Sequence, residues 1–333
     1  VRGVEMNVMY TCDNNYVWLM GISVISLFEN NKDMDELKVY LLGENISSEN
    51  KEKLKIIGAE YSRDVEIIEV PKLDIPPSLI SARWPLAAYT RLFSGKILPK
   101  SLDKILYLDC DTIILGNISE LNRVQFNENI AMGVKDCIGG VYKQNIGLHK
   151  NDAYFNAGVI LFNMNALRKV DVSTKIETYM DKYMKLINYA DQDIFNGMFR
   201  DEIGELNPRF NLMTIDVVYS YEEILKLRVP TNFYAKEAIQ IAKKNPMIIH
   251  YTTNMLTVRP WFSNTNHPLA HEFKKYMAMS PWKNRELSTM VFTSKESKLI
   301  RIVQKLPSKI ACDVLGMIHA VIRPMYVRMK SKE

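Results

Sequence analysis

The chain has 333 residues, of which 47% are hydrophobic and 24% charged, so it can bury a sizeable core without disulfides or structural metals. Its net charge of +5 is uneven: nine Lys and Arg against three Asp and Glu give residues 291–333 a charge of +6, and the rest sums to about −1. A basic tail on a nearly neutral body gives little support to a nucleic-acid-binding protein.

The first 110 residues alternate between strand-like and helix-like segments. The pattern predicts a buried strand over residues 5–13, an amphipathic helix over 18–29, a strand over 37–42, a helix over 47–59, a strand over 65–70, a helical stretch around 85–98 and a strand ending at Asp109. Ser47 or Ser48 is expected as the N-cap of the second helix. The alternation predicts a parallel α/β sheet with helices on both faces.

The middle of the chain has a more mixed pattern. It predicts strands over residues 130–136, 156–164 and 246–251 and a helix over 173–188. No internal repeat or clear linker occurs before about residue 285. We therefore predict one α/β domain over residues 4–285 and a basic, helical C-terminal appendage over 286–333.

The tail mixes apolar and basic side chains over residues 297–330, where Pro307 and Pro324 predict two short helices at most. Its apolar run at 310–322 is shorter than the roughly 18 residues of a membrane span, and no span is predicted. We expect the tail either to pack on the domain with its basic side in water or, as we favour, to attach peripherally to anionic lipid.

The cysteines and the N-terminus bear on the cellular compartment. The four cysteines are far apart and form no C-x-x-C pair, which favours reduced thiols in a cytosol. The N-terminus lacks a basic region followed by an apolar stretch, so no secretory signal is expected. These features predict a cytoplasmic protein, with the tail placing it on the inner face of the plasma membrane.

Two acids, Asp109 and Asp111, stand in the otherwise apolar run KILYLDCDTIILGN. Charged residues are seldom buried unless they are paired or hold a metal. Ligands of open parallel sheets bind beyond the carboxyl ends of the strands, and Asp13 has the same position after the first strand. Because carboxylate oxygens suit Mg²⁺ and Mn²⁺, the pair predicts a divalent-cation site, and a turn with ordinary surface acids is the alternative.

Two enzyme classes place an Asp-x-Asp pair after an apolar strand. In haloacid-dehalogenase-like phosphatases the first Asp is a nucleophile, and the motif normally follows the first strand and ends in Thr or Val. Here DCDTI follows about the fourth strand and has Ile where Thr belongs. The second class is the metal-dependent nucleotide-sugar glycosyltransferases, in which the acids hold a metal on the donor diphosphate.

Several motifs, taken in order, resemble the family-eight retaining glycosyltransferases, which include glycogenin and the bacterial lipooligosaccharide α-galactosyltransferases. These motifs are VMYTCDNNYVWLMGISVISL, YTRLFSGKILP, KILYLDCDTIILGNISEL, YFNAGVILFNM, ADQDIFNGMF, LNPRFN and MIIHY. The resemblance covers about residues 6–265. It implies a GT-A fold, a UDP-hexose donor and Mn²⁺.

The resemblance implies which residues hold the metal. Asp109 and Asp111 match the metal-binding acids of the family, and His250 in MIIHY matches the histidine that supplies a third ligand. Without the two acids, a lone histidine at a strand end would more often be structural. A mixed shell of oxygen and imidazole ligands favours Mn²⁺ over Mg²⁺.

The resemblance also implies contacts to the nucleotide. Thr11, Asp13 and Asn15 fall where the first strand end of the family contacts the uridine, and an Asx turn in CDNN is a compatible alternative. Arg91 matches the arginine of YxRL that approaches the donor, and a surface charge on a helix is the alternative. Cys110, which lies between the two acids, is also expected to contact the donor.

Other matched residues belong to the donor sugar and the reacting centre. Asn156, Asp191 and Gln192 match positions lining the sugar, whereas Asp191 could instead be a helix N-cap. Asp136 in GVKD is placed toward the sugar or the acceptor. Asp191, Gln192 and Asp193 are the candidate catalytic residues, and Gln192 and Asp193 are the nearest candidates for stabilising an oxocarbenium-like centre, since no glycosidase-like carboxylate pair is recognisable.

The sequence departs from the family pattern after the histidine. The family often continues as HYxGxxKPW, whereas this chain reads HYTTNMLTVRPW. Arg259 therefore stands where a phosphate-binding Lys is expected, and Arg keeps the charge but changes the geometry of phosphate binding.

The resemblance as a whole implies a retaining glycosyltransferase that moves glucose or galactose from a UDP-sugar to a glycan, glycolipid or glycoprotein acceptor in bacterial surface-polysaccharide synthesis. A haloacid-dehalogenase-like phosphatase and a non-catalytic sugar-binding protein with a GT-A fold are the alternatives.

Overall fold

Two β-sheets organise the computed structural model, which describes residues 5–73, 89–293, 303 and 308–331. The described strands are β1 (Glu5–Asp13), β2 (Glu36–Glu44), β3 (Val65–Glu69), β4 (Lys104–Leu108), β5 (Thr112–Ile114), β6 (Ala131–Lys135), β7 (Phe155–Asn163), β8 (Ile203–Glu205), β9 (Leu212–Met213) and β10 (Ile248–His250). The large sheet has the order β3-β2-β1-β4-β7-β6-β8. Its described pairings are parallel except those of β7, which runs antiparallel to β4 and β6, so the predicted parallel sheet needs this one correction.

Apolar side chains cover both faces of the large sheet. Val8 and Tyr10 of β1 belong to one hydrophobic cluster, and Met9 between them belongs to a second one. Successive side chains of a strand point to opposite faces, so the two clusters lie on the two sides of the sheet. This confirms the predicted α/β architecture with a core on each face.

Helices follow most of the strands. The described α-helices are Val17–Glu29, Ser48–Tyr61, Ser94–Ile97, Gly140–Asn145, Met164–Leu167, Val172–Tyr183, Ala190–Met198, Thr214–Val218, Tyr221–Arg228, Lys236–Lys244, Ala270–Met279, Ser308–Gly316 and Arg323–Lys330. Short 3₁₀ turns occur at Arg91–Phe93, Ser119–Arg123 and Pro208–Phe210. Residues 85–88 of the helix predicted over 85–98 lie outside the described residues, and the described remainder is helical in short pieces.

Two helices show how far local pattern decides structure. Ser47 is the N-cap of Ser48–Tyr61, where its hydroxyl accepts from the Asn50 N–H at 3.2 Å, as predicted. The helix Val17–Glu29 is not amphipathic as expected, because every residue before Glu29 is buried. It lies between β5 and the helix Ala270–Met279, and a helix covered on both sides is apolar all round.

The small sheet, in the order β5-β10-β9, brings the histidine to the acids. β10 pairs antiparallel with β5, in a register that sets His250 opposite Thr112. Thr112 directly follows Asp111, and the Tyr251 N–H donates to the Asp111 carbonyl oxygen at 3.0 Å. The long-range pairing of two three-residue strands therefore closes the site.

The C-terminal tail is one helical segment where it is described. A π-helical turn at Met317–Ile322 joins Ser308–Gly316 to Arg323–Lys330. Pro324 lies in the first turn of the last helix and does not end the segment, which corrects the prediction of two short helices. The wider π turn before Pro324 accommodates a residue that has no N–H to donate. Pro307 lies outside the described residues.

The tail helix is also more apolar and longer than expected. Ile310–Lys330 has 21 residues and contains an 18-residue window with a mean hydropathy of 1.4, which by length and composition alone is enough to cross a membrane. The prediction that no run qualifies is therefore wrong for this helix. A third of this window is buried. Ala311 and Leu315 pack with Leu227, and Lys226 Nζ lies 2.7 Å from Asp313 Oδ2.

Candidate active site

Asp109, Asp111 and His250 converge beyond the end of β4. Each offers one ligand atom, and the three atoms lie within 4.8 Å of one another. His250 Nε2 is 3.1 Å from Asp111 Oδ1 and 3.5 Å from Asp109 Oδ2. Two carboxylates and one imidazole nitrogen at this spacing are able to share a divalent cation.

Neighbouring residues orient these groups. His250 Nδ1 is 3.0 Å from Asn211 Oδ1, a contact that turns Nε2 toward the two carboxylates. Metal-binding histidines commonly hold their second ring nitrogen in this way. Gly158 leaves the space open, because a Cβ built there would lie 2.7 Å from Asp109 Oδ2 and 2.8 Å from His250 Nδ1. The residues present therefore fit a divalent cation.

The electrostatics of the site favour a positive charge. Burial alone would lower the pKa of His250, but Asp111 and Asp109 raise it above its usual value. Burial alone would likewise raise the pKa of Asp111, but His250 and Arg259 lower it. Asp111 therefore stays a carboxylate at neutral pH.

Arg91 joins the metal-site acids to the predicted sugar site. Its Nη1 lies 3.1 Å from Asp109 Oδ1 and 3.3 Å from Asp191 Oδ2, and donates to the Ala157 carbonyl oxygen at 2.6 Å. The guanidinium stacks over the Tyr107 ring, 4.1 Å from its centroid. Arg91 is buried, which excludes the alternative of a surface charge.

An open cleft of about 740 Å³ lies beside these acids. Its lining contains the predicted nucleotide contacts and both metal-site acids: Thr11, Cys12, Asp13, Tyr16, Arg91, Tyr107, Asp109, Cys110, Asp111 and Arg259. Arg259 stacks over Trp261 and points Nη1 at Asp111 Oδ2 from 3.7 Å. Asn15 is not part of this lining; its N–H donates to Asp13 Oδ1 at 2.8 Å, which is the Asx turn given above as the alternative.

Gln192 is the centre of a hydrogen-bond network on the sugar side. Its Oε1 accepts from Asn156 Nδ2 at 2.9 Å and from the Ala157 N–H at 3.0 Å, while Nε2 donates to Asp136 Oδ2 at 3.0 Å. Asn156 Oδ1 in turn accepts from Asn211 Nδ2 at 2.8 Å. Because Asn211 also contacts His250, the network ties the predicted sugar-binding residues to the metal triad.

The two acids flanking Gln192 have different surroundings. Asp191 does not cap its helix, whose N-cap is Tyr189, but faces Arg91, and burial raises its pKa to about 6. Asp193 is 0% exposed and accepts hydrogen bonds from two tyrosine hydroxyls and from the Tyr189 N–H. Its carboxylate therefore holds the helix start, and a role of Asp193 in stabilising an oxocarbenium-like centre stays a prediction.

Comparison with known proteins identifies this arrangement. The model of the family "Glycosyl transferase family 8" matches residues 7–265. The chain belongs to this family. Its fold is the GT-A fold: the crystal structure of galactosyltransferase LgtC with donor and acceptor sugar analogues aligns with a TM-score of 0.67 at 22% identity, over 88% of this chain and 99% of that chain.

Relatives of this family-8 glycosyltransferase cover most of the chain. It is 26% identical over 280 residues to general stress protein A of Bacillus subtilis (strain 168). This match spans 83% of this chain and 94% of that protein. It is 27% identical over 286 residues to lipopolysaccharide 1,2-glucosyltransferase of Escherichia coli, over 84% of this chain and 79% of that protein. The resemblance seen in the sequence motifs is thus confirmed, and the chain is a glycosyltransferase rather than a phosphatase or a non-catalytic protein.

Sequence reasoning assigned no role to three residues of this site. Asn211 lies in the quoted motif LNPRFN, and its polar side chain directly before β9 was the available signal. Tyr107 lies in the apolar run of β4, and its hydroxyl donates to Asp109 Oδ1 at 2.5 Å. Gly158 gave no signal, because its role depends on two side chains that reach it from other strands.

Substituting Gly158 tests the fit of the cation site in this glycosyltransferase. We expect Gly158→Ala to weaken Mn²⁺ binding by about ten- to a hundredfold, because the new methyl group displaces Asp109 and His250. The matched control is Gly133→Ala in β6, where the nearest atom is Phe155 Cβ at 3.3 Å. Calorimetric titration with Mn²⁺ measures both variants, and equal affinities would show that Gly158 does not shape the site.

Proposed function

We propose that this glycosyltransferase moves a hexose, glucose or galactose, from UDP-hexose to a hydroxyl of a glycan, glycolipid or glycoprotein acceptor, with retention of the α configuration. The observation that carries the proposal is the continuous network from Asp109, Asp111 and His250 to Gln192 beside one open cleft. The lipopolysaccharide 1,2-glucosyltransferase among its relatives supports a role in building a bacterial surface glycan.

Each end of the donor has candidate partners in the cleft. Thr11 and Asp13 at the end of β1 are suited to the uridine, and the Arg259 guanidinium beside Asp111 is suited to a phosphate oxygen. Asp109, Asp111 and His250 would hold Mn²⁺, which when bound supplies a Lewis acid that offsets the charge of the diphosphate.

The sugar itself would lie toward Gln192 and Asp191. The reaction breaks the bond between the anomeric carbon and the β-phosphate oxygen and forms one to the acceptor hydroxyl oxygen, whose proton leaves with the departing UDP phosphate. Hydrogen bonds fix the Gln192 amide on both sides, so its orientation is set before the donor binds. Asp191 is held against Arg91, and a fixed carboxylate near the anomeric carbon stabilises the positive charge that develops there.

Release of UDP tests the proposal. The full chain is incubated with Mn²⁺ and a panel of UDP-sugars, and UDP is measured in the presence and absence of acceptor extracts. We expect release from UDP-glucose or UDP-galactose and none of the p-nitrophenyl phosphate hydrolysis typical of a phosphatase. A β-linked product in the NMR spectrum would contradict retention.

The tail supports a peripheral membrane attachment on the cytoplasmic face as part of this function. Its outer side exposes a row of large apolar residues: Ile310, Val314, Met317, Ile318, Ile322, Met325, Tyr326 and Met329. Arg323, Arg328 and Lys330 are exposed on the same helix. Since the other side packs on the domain, the helix is better suited to lie in the plane of a membrane surface than to cross the membrane. Each Lys or Arg near the surface adds about 1 kcal/mol to the binding free energy on anionic lipid.

Vesicle binding by variants of the exposed apolar residues tests the attachment, because these substitutions leave the side of the tail helix that packs on the domain unchanged. We expect the triple variant Met317→Ser, Ile322→Ser and Met329→Ser to bind phosphatidylglycerol vesicles at least about tenfold more weakly than the wild type, because it removes apolar area from the interface. The control carries Ile56→Ser and Ile241→Ser, which are 50% and 57% exposed on other helices. Equal binding of the two variants would rule out the tail as the anchor.

Two further statements stay predictions. One is the division into a catalytic domain over residues 4–285 and a tail over 286–333. The described chain keeps contact with the domain beyond residue 285, since the Met290 N–H donates to Asn264 Oδ1 at 2.9 Å. The other is the cytoplasmic location.

A further inference from the structure

A second cleft, of about 680 Å³, lies between the C-terminal helical segment and the catalytic domain. The guanidinium groups of Arg228 and Arg323 and the imidazole of His319 belong to its lining. Tyr189 belongs to it as well, and its carbonyl oxygen accepts from the N–H of Gln192 at 2.9 Å. The second cleft therefore borders the sugar side of the candidate active site.

The packing of the tail against the domain builds this cleft. Asn145 Nδ2 donates to the Pro324 carbonyl oxygen at 2.8 Å, in a buried position. Gly139 lies close to both neighbouring segments: a Cβ there would lie 3.1 Å from the Arg228 carbonyl oxygen, which is tight, and 3.7 Å from that of Ala320, which is an ordinary contact. Both contacts fix His319 and Arg323 relative to the domain.

The cleft is electropositive. Burial, together with the positive charges of Arg323 and Arg228, lowers the pKa of His319, so the three side chains are close enough to repel one another. Burial alone would lower the pKa of Arg228, but Cys137, Tyr189 and Asp136 raise it, and the group stays charged. Among the described residues, no carboxylate oxygen lies within 4.0 Å of either guanidinium, although the Arg228 guanidinium contacts the Tyr189 side chain and interacts with the Asp136 carboxylate. An anion would therefore find two charged donors there.

We propose that this cleft binds a phosphate or diphosphate group carried by the acceptor. Guanidinium groups bind phosphate oxygens through paired N–H donors, more strongly where water is partly excluded. The inference rests on the proposed function, because the acceptor hydroxyl must reach the sugar beside Gln192 while its phosphate lies against Arg228 and Arg323. A lipid-linked diphosphate and a soluble sugar phosphate share this chemistry.

Calorimetric titration of the full chain in EDTA tests the cleft, with inorganic pyrophosphate, geranyl diphosphate and geraniol as probes. We expect saturable binding of the two diphosphates and none of geraniol. Arg228→Gln and Arg323→Gln are each expected to weaken diphosphate binding at least about tenfold, through loss of a charged hydrogen-bond donor. The matched control is Arg328→Gln, which removes a guanidinium from the same helix outside the cleft lining. Arg259→Gln reports any binding at the donor site, because Arg259 is the phosphate-binding candidate there.

The outcomes separate this inference from the proposed function. Unchanged diphosphate affinity in both cleft variants, or loss of affinity in Arg259→Gln instead, overturns the cleft, whereas UDP release by the wild type still tests the transferase. Arg323 is exposed, so its variant keeps the test open even if Arg228→Gln fails to fold. Tighter binding of geranyl diphosphate than of pyrophosphate supports a lipid-linked acceptor, and equal affinities support a soluble phosphate-bearing one.

Discussion

Asp109→Asn, Asp111→Asn and His250→Ala are each expected to lower UDP release from UDP-hexose at least about a thousandfold. Each substitution removes one of three ligand atoms that lie within 4.8 Å of one another. A metal that offsets charge on a leaving diphosphate contributes several kcal/mol to transition-state stability, and about 4 kcal/mol corresponds to this factor. EDTA should abolish the wild-type reaction, and excess Mn²⁺ should restore it.

Matched controls separate this effect from general damage to the protein. Asp201→Asn changes an acid whose side chain is 81% exposed, and His271→Ala changes an exposed histidine. Both controls should retain wild-type rates. Full activity of the wild type in EDTA, or of a variant lacking both Asp109 and Asp111, would show that the triad does not serve the reaction through a metal.

Gln192→Ala is expected to lower kcat by about a hundred- to a thousandfold while UDP binds within about threefold of the wild-type affinity. The Gln192 amide lies on the sugar side of the network, and it is absent from the lining of the cleft that holds the nucleotide-binding candidates. Asp191→Asn should behave in the same way, because its partner Arg91 remains held by Asp109.

Gln125→Ala, an exposed glutamine, is the control for this pair of variants. Rates from stopped assays and UDP affinities from calorimetry together distinguish two roles. If UDP affinity falls in step with kcat, Gln192 supports the nucleotide site or the local fold and does not act on the sugar.

Much of the fold and of the site could be predicted from the sequence, because local sequence patterns mark the strands, the helices and several of the site residues. Period-two and period-3.6 hydrophobic patterns located β1, β2 and the helix Ser48–Tyr61 within a few residues. The acids Asp109 and Asp111 were recognisable because charge is rare at the end of an apolar strand. The family motifs then added His250, which the structure brings to them.

The remaining features depend on tertiary packing that no local pattern encodes. Asn211 becomes a partner of His250 only because β9 and β10 pair side by side. Asp193 resembled Asp191 in sequence, but the helix start turns it toward buried tyrosine hydroxyls. The tail continues through Pro324 because a π turn precedes it, and such a turn has no distinct hydrophobic period.

The dependence of UDP binding on Mn²⁺ tests the central claim most directly, since it joins the metal triad to the nucleotide without requiring a known acceptor. UDP is titrated into the wild type and into Asp109→Asn, each with Mn²⁺ and with EDTA. The account predicts that Mn²⁺ tightens UDP binding to the wild type at least about tenfold and has no effect on the variant, because binding coupling is reciprocal. Equal UDP affinity of the wild type with Mn²⁺ and with EDTA would contradict it.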